Sequence, residues 1–193
     1  GPGCPVCVTP VSFIDEAVLL AMEKKATICT FGDLVRVPGS AKSGVKEEGK
    51  TADAPSFEKE NKGTAGSPLF PASLAAARAA GARIQVVYAP QDAVAYAKEH
   101  PQEQVVFLSV GFETTTPSVC LAVKQAEEEG LTNFSILTAN KTMPAAYAAM
   151  KDSTDAFLYP GHVHAITGTA VCEELAAEGT SGVVAGFTAK ELL

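Results

Sequence analysis

Cys4 and Cys7 stand with two residues between them in a loop written GPGCPVC. A pair at this spacing just before a helix lies near the positive end of the helix dipole, which lowers thiol pKa and favours thiolate. Thiolate is the form that exchanges disulfides and the form that binds soft metals. Two cysteines do not close a structural zinc site, which takes four ligands, and the chain has no second CxxC. Glu113 opens another polar loop, GFETTTP, directly after the apolar run QVVFLSV. A carboxylate there is placed to accept hydrogen bonds or to handle a proton. His162 follows YPG at a further strand-to-helix turn, where a neutral imidazole binds metal or moves protons. Each of these has a structural alternative: two small buried thiols, threonines that only cap a helix, a histidine that only packs.

The surrounding residues sort by position. Gly111 permits a tight exit from its strand, and Thr115 or Thr116 is placed to N-cap, with Pro117 in the first helical turn. His164, two residues beyond His162, points elsewhere and reads as a surface residue. His100 lies at a helix end, where complementing the dipole accounts for it. Cys29, Cys120 and Cys172 fall on strand or helix positions and read as small apolar packing residues. No GxSxG elbow, Walker A loop, usable GxGxxG or HExxH occurs, so hydrolase, kinase and nicotinamide chemistry are poorly supported.

These groups need elements to hold them. TPVSFIDEAVLLAMEKK has helical spacing, with Thr9 placed to N-cap and Pro10 at the first position. ATICTFG reads as a strand, and after residue 68 helices and strands alternate to the end of the chain. Most strands are short continuous apolar runs, the pattern of parallel sheets covered on both faces. The predicted fold is α/β, with two similar parallel-sheet domains facing a cleft: residues 1–100 carrying the CxxC loop, and 101–193. In such sheets ligands bind where strands end and helices begin, and the three polar loops all fall on that edge.

Residues 41–68 differ in kind, being rich in Lys, Glu, Gly and Ser, and are predicted to be a mobile insertion. TAKE, from Thr188 to Glu191, reads as a capping box opening one more helix, and both ends of the chain read as cuts. A formal charge of −7 argues against a general nucleic-acid binder. Five cysteines with one close pair do not form the framework of a secreted disulfide-rich domain. No apolar run is long enough for a membrane span and no signal peptide is recognisable, so a cytoplasmic protein is expected.

GPGCPVCVTP, TFGDLVRVPGS, VVYAPQDA, GFETTTP, PGHVHAITG and VVAGF, in this order, closely resemble the HypD family of hydrogenase maturation factors. Any one motif is weak, but the ordered set spans nearly the whole chain. The resemblance implies a scaffold that helps to build the iron–dicyanide–carbonyl centre of nickel–iron hydrogenases. It further implies a small chaperone partner, HypC, and cyanide delivered by HypE and HypF. It makes Cys4 and Cys7 a redox-active pair. Glu113, Thr114 and Thr115 match the GFETT motif, and His162 matches PGHV. Gly111 and Gly161 shape those loops, and Cys4 and Cys7 are the only metal ligands it suggests within the chain. The family's upstream cysteine motif and the cysteines of its four-iron–four-sulfur region have no counterpart here, and the family lacks residues 41–68. A cofactor-assembly scaffold is therefore expected, rather than a conventional turnover enzyme. The alternatives are a thiol–disulfide oxidoreductase acting on proteins, although no thioredoxin-type cis-Pro loop is recognisable, and a small-anion-binding two-domain module with inert thiols.

Overall fold

The computed structural model describes residues 4–40, 70–186, 188 and 190. The expected insertion at 41–68 lies outside them, as does the expected capping box, which needs Glu191. Among the described residues the order is α1 (Val11–Met22), β1 (Thr27–Thr30), a 3-10 turn (Gly32–Leu34), α2 (Leu74–Ala79), β2 (Ile84–Val86) and α3 (Pro90–Glu99). It continues through β3 (Val105–Ser109), α4 (Thr116–Glu128), β4 (Phe134–Thr138) and α5 (Met143–Met150). A second 3-10 turn (Lys151–Ser153), β5 (Ala156–Pro160), α6 (Gly161–Thr167), α7 (Ala170–Ala177) and β6 (Ser181–Ala185) complete it.

The α/β expectation holds. Four strands form a sheet in the order β2-β1-β3-β4, and β5 pairs with β6 in a second sheet; every pairing is parallel. β1 and β3 are buried along their whole length, as their unbroken apolar runs predict. The pleat divides their side chains between two cores. Ile28, Val106 and Leu108 meet α1 and α2 through Ile14, Val18, Leu74 and Ala77. Cys29, Val105 and Phe107 face the opposite layer, with Ala93 and Ala97 of α3 and Val119 of α4. A third cluster joins Phe112, Met143, Tyr147, Phe157, Tyr159, Val163 and Leu175 on one face of the two-stranded sheet. The other face leaves Leu158 and Val183 exposed.

Two expectations about organisation need correction. The division between 1–100 and 101–193 falls inside the four-stranded sheet, because β3 pairs directly with β1, Thr27 opposite Val105 and Cys29 opposite Phe107. The two sheets part between β4 and β5 and are unequal in size. Thr9 does not cap α1: its Oγ1 donates to Pro5 O at 2.9 Å, and Pro10 is the extended residue before the helix. His100 does close α3, its Nδ1 lying 2.9 Å from Tyr96 O. Among the described residues no helix is long and apolar enough to cross a membrane.

Candidate functional site

The strand order fixes where a site opens. From β1 the chain goes to β2 on one side, and β3 lies on the other. The loops leaving β1 and β3 therefore diverge, and a crevice forms between their carboxyl ends. The cysteine loop packs onto this end of the sheet. Val6 packs against the cluster containing Ile28, Leu34 and Val110, and the charge of Asp33, in the turn after β1, acts on Cys4. Val8 lines a depression of about 410 Å³ with Phe112, Asn140, Lys141, Thr142, Ala145 and Ala146. The cysteine and GFETT loops thus share one wall.

Cys4 is half-buried and Cys7 exposed. The Cys7 thiol donates to Cys4, which holds Cys4 below the ordinary thiol range; the Cys7 backbone N–H adds to this. Donating that proton, helped by burial, pushes Cys7 above the range. The two thiols are therefore unequal, Cys4 being the one that ionises more readily and so the one placed to begin disulfide exchange. The other cysteines differ. Cys29 is fully buried and burial pushes its thiol up to about 12, so it packs as expected. Cys120 is exposed, contrary to expectation, because it lies on the outer face of α4. Cys172 is half-buried against the His164 ring, 3.6 Å from Nε2 and 3.7 Å from Nδ1, and burial raises its thiol.

Glu113 has a role that its sequence position did not disclose. Its Oε1 accepts the Met143 backbone N–H at 2.7 Å, so the carboxylate caps α5, thirty residues downstream. Oε2 is buried without a partner among the described residues, leaving one acceptor available. Thr115 occupies the N-cap position of α4, with Pro117 in the first turn, but its side chain makes no capping bond. Thr116 Oγ1 donates to Phe112 O at 3.2 Å and accepts from Asn140 Nδ2 at 3.0 Å. Thr114 is exposed. Gly111 is needed for close approach, since a Cβ there would overlap the Thr115 side chain. Asn140 was missed: it also accepts from Ser109 Oγ at 2.9 Å, tying the ends of β3 and β4 to the GFETT loop. Its signal was position, a polar residue directly after a strand on the ligand-binding edge.

His162 lies in the first turn of α6 and is exposed. Gly161 before it lets that turn approach β6, a Cβ there lying 3.1 Å from Ala185 O. His164 is not a surface residue. It is buried, with Nδ1 2.8 Å from Gly168 O and Nε2 3.1 Å from Tyr147 Oη. The expectation failed because α6 packs against both the two-stranded sheet and α5, enclosing consecutive residues. The PGHV loop is connected to the other two through α5, held at one end by Glu113 and one turn later by the Tyr147–His164 contact. Among the described residues no group of three or more His, Cys, Asp or Glu converges as a metal cage. Among the described residues Cys4 and Cys7 are the one close pair of soft ligands, two short of the four thiolates that hold an iron–sulfur cluster.

A family model named HypD, described as "Hydrogenase formation hypA family", matches residues 1–56 and 65–193. The chain belongs to the HypD family. The hydrogenase maturation factor HypD of Rhodobacter capsulatus is 39% identical over 198 residues, covering 100% of this chain and 45% of that protein. The HypD factor of Rhizobium leguminosarum bv. viciae is 40% identical, covering 97% and 44%. That of Escherichia coli (strain K12) is 36% identical, covering 100% and 45%. The chain spans less than half the length of these curated HypD relatives.

Proposed function

We propose that this chain carries the thiol and carboxylate portion of a hydrogenase maturation factor, acting while the iron–dicyanide–carbonyl centre is built. The observation that carries the reading is the unequal Cys4–Cys7 pair in a loop whose Val8 lines one depression with Phe112, the neighbour of Glu113. Joining the two sulfurs in a disulfide releases two electrons and the thiol protons, and the iron–ligand unit, reduced as its incoming ligand is transferred, takes up the electrons. The iron unit is substrate here, not a resident cofactor, and the two sulfurs are soft enough to touch it in passing. Glu113 and His162 position or protonate the incoming group at the edge of the site. HypC as docking chaperone and HypE as cyanide donor complete the proposal, with the work done in the cytoplasm. A four-iron–four-sulfur cluster belongs to the longer family protein and enters no step here.

The test has two parts. Thiols are trapped anaerobically across a glutathione redox series and located by mass spectrometry. Cys4 and Cys7 are expected to convert together while Cys29, Cys120 and Cys172 stay reduced. The full-length protein is then expected to lose hydrogenase maturation in cells when either Cys4 or Cys7 becomes Ser. Thiols that never pair, or Ser variants that mature hydrogenase normally, refute the redox reading.

A further inference from the structure

We propose that Tyr147 and His164 are positioning residues that fix the direction in which His162 is presented, by locking α6 to α5. The inference rests on reading His162 as a working group of the maturation site.

The hydrogen bonds around His164 are directional and can be assigned from chemistry alone. Gly168 O can only accept, so the hydrogen lies on Nδ1, 2.8 Å away. With the hydrogen on Nδ1, a ring that carries a single N–H has Nε2 as its acceptor, and the Tyr147 hydroxyl, 3.1 Å away, is the group placed to donate to it. The groups facing the ring come from three elements: Tyr147 of α5, Tyr159 of β5 and Cys172 of α7. Burial raises all three, so each stays protonated. Cys172 is not activated by this imidazole, because both ring nitrogens are already engaged.

The consequence for His162 follows from helix geometry. α6 has seven residues, too few to hold a rotational setting by its own hydrogen bonds. Each residue advances the side chain by about 100° around the axis. Val163 and His164 are both buried, which directs His162 outward. An apolar contact at Val163 alone resists roll weakly, because dispersion has no preferred direction. The Tyr147 bond supplies the direction, and the Gly168 bond closes the far end of the helix, where Gly168 takes φ +76°. Tyr147 in turn stands one helical turn beyond Met143, whose N–H is held by Glu113. The same helix that Glu113 caps therefore carries the hydroxyl that orients α6.

The cluster contains its own control. The Tyr159 hydroxyl is also buried, yet it has no partner among the described residues. Tyr147→Phe and Tyr159→Phe each delete one hydroxyl and keep the ring, but only the first breaks a bond. The test is long-range 1H–15N correlation on 15N-histidine-labelled protein, which has three histidines, His100 being a remote reference. His164 is expected as the Nδ1–H tautomer. Y147F is expected to move His164 Nε2 and to displace the His162 signals by more than their line width. Y159F is expected to leave His162 in place, and His100 to stay constant throughout. If Y147F also moves His100, His164→Asn replaces it, because it loses the Nε2 acceptor while retaining a donor near Gly168. The opposite His164 tautomer, or His162 signals unmoved when the Tyr147 bond is broken, overturns the positioning role. In the full-length protein Y147F is expected to lower hydrogenase maturation at unchanged protein level, and Y159F to leave it intact. Moved signals together with a fully active His162→Ala variant overturn the reading on which the inference rests.

Discussion

Replacing Glu113 separates its structural role from its chemical one. The carboxylate accepts the first backbone N–H of α5 at 2.7 Å, a charge-assisted bond at the positive end of an eight-residue helix. Losing a side-chain cap costs about 0.5–2 kcal/mol, and losing a negative charge at a helix start about 0.3–1 kcal/mol. Alanine also removes the unpartnered Oε2, which offsets part of that loss. Glu113→Ala is therefore expected to destabilise by about 1–2 kcal/mol. For a chain of this size that lowers Tm by about 2–8 °C, at roughly 2–4 °C per kcal/mol. Glu113→Gln keeps an acceptor for Met143 and loses only the charge, so its cost is about 0.3–1 kcal/mol. Thermal and urea unfolding of the purified chain measure both. The same variants in the full-length protein report hydrogenase maturation, where Gln is expected to fail despite its stability, because an amide cannot take up and release a proton as the carboxyl does. Glu113→Ala melting with the wild type, or Gln as unstable as Ala, refutes the cap; a fully active Gln variant refutes the need for the carboxylate.

Three further outcomes are expected. Cys7→Ala removes the donor to Cys4 and moves the midpoint of Cys4 alkylation up toward the ordinary thiol range; Cys4→Ala lowers that of Cys7. Rates of iodoacetamide labelling against pH, read by mass spectrometry, check both, and unmoved midpoints exclude the inequality of the two thiols. Cys29 resists labelling in the native protein, its thiol being pushed up to about 12. The unfolded thiol ionises near about 8.5, so this group favours the native state fully below that pH and progressively less as pH rises toward its native value; urea midpoints between these limits should fall relative to Cys29→Ala. Gly111→Ala drives a methyl into the Thr115 side chain and is expected to cost about 1–3 kcal/mol in urea unfolding, as overpacking does.

Much of the fold was legible because apolar runs and helical spacing are local signals. The runs at β1 and β3 are continuous because both faces are covered, and the predicted parallel sheet followed from them. Strand order is not local, which is why a boundary was expected near residues 100–104, where β3 crosses to lie beside β1. The candidate loops were legible by position on the sheet edge. Their internal division of labour was not: Glu113 bonds thirty residues away, and His164 is buried by α5 and the two-stranded sheet. Spacing of two residues separates side chains on a helix but does not say which one faces inward. The asymmetry of Cys4 and Cys7 likewise depends on which sulfur donates, a matter of loop conformation.

The unequal sheets divide the chain's resistance to opening. β3 has a neighbour on each side and is buried throughout, so its amides exchange with solvent hydrogen only when the whole sheet opens. β5 and β6 each have one neighbour among the described residues, and β6 is largely exposed, so smaller local openings suffice there. The thiol pair hangs from the slow-exchanging unit and His162 rides on the fast one, with Phe112 and Glu113 at the join. Breathing of the thinner unit changes the gap between imidazole and sulfur while the sheet beneath the sulfurs stays closed. Under the proposed function, the iron unit would be admitted and released at a small fraction of the free energy of unfolding.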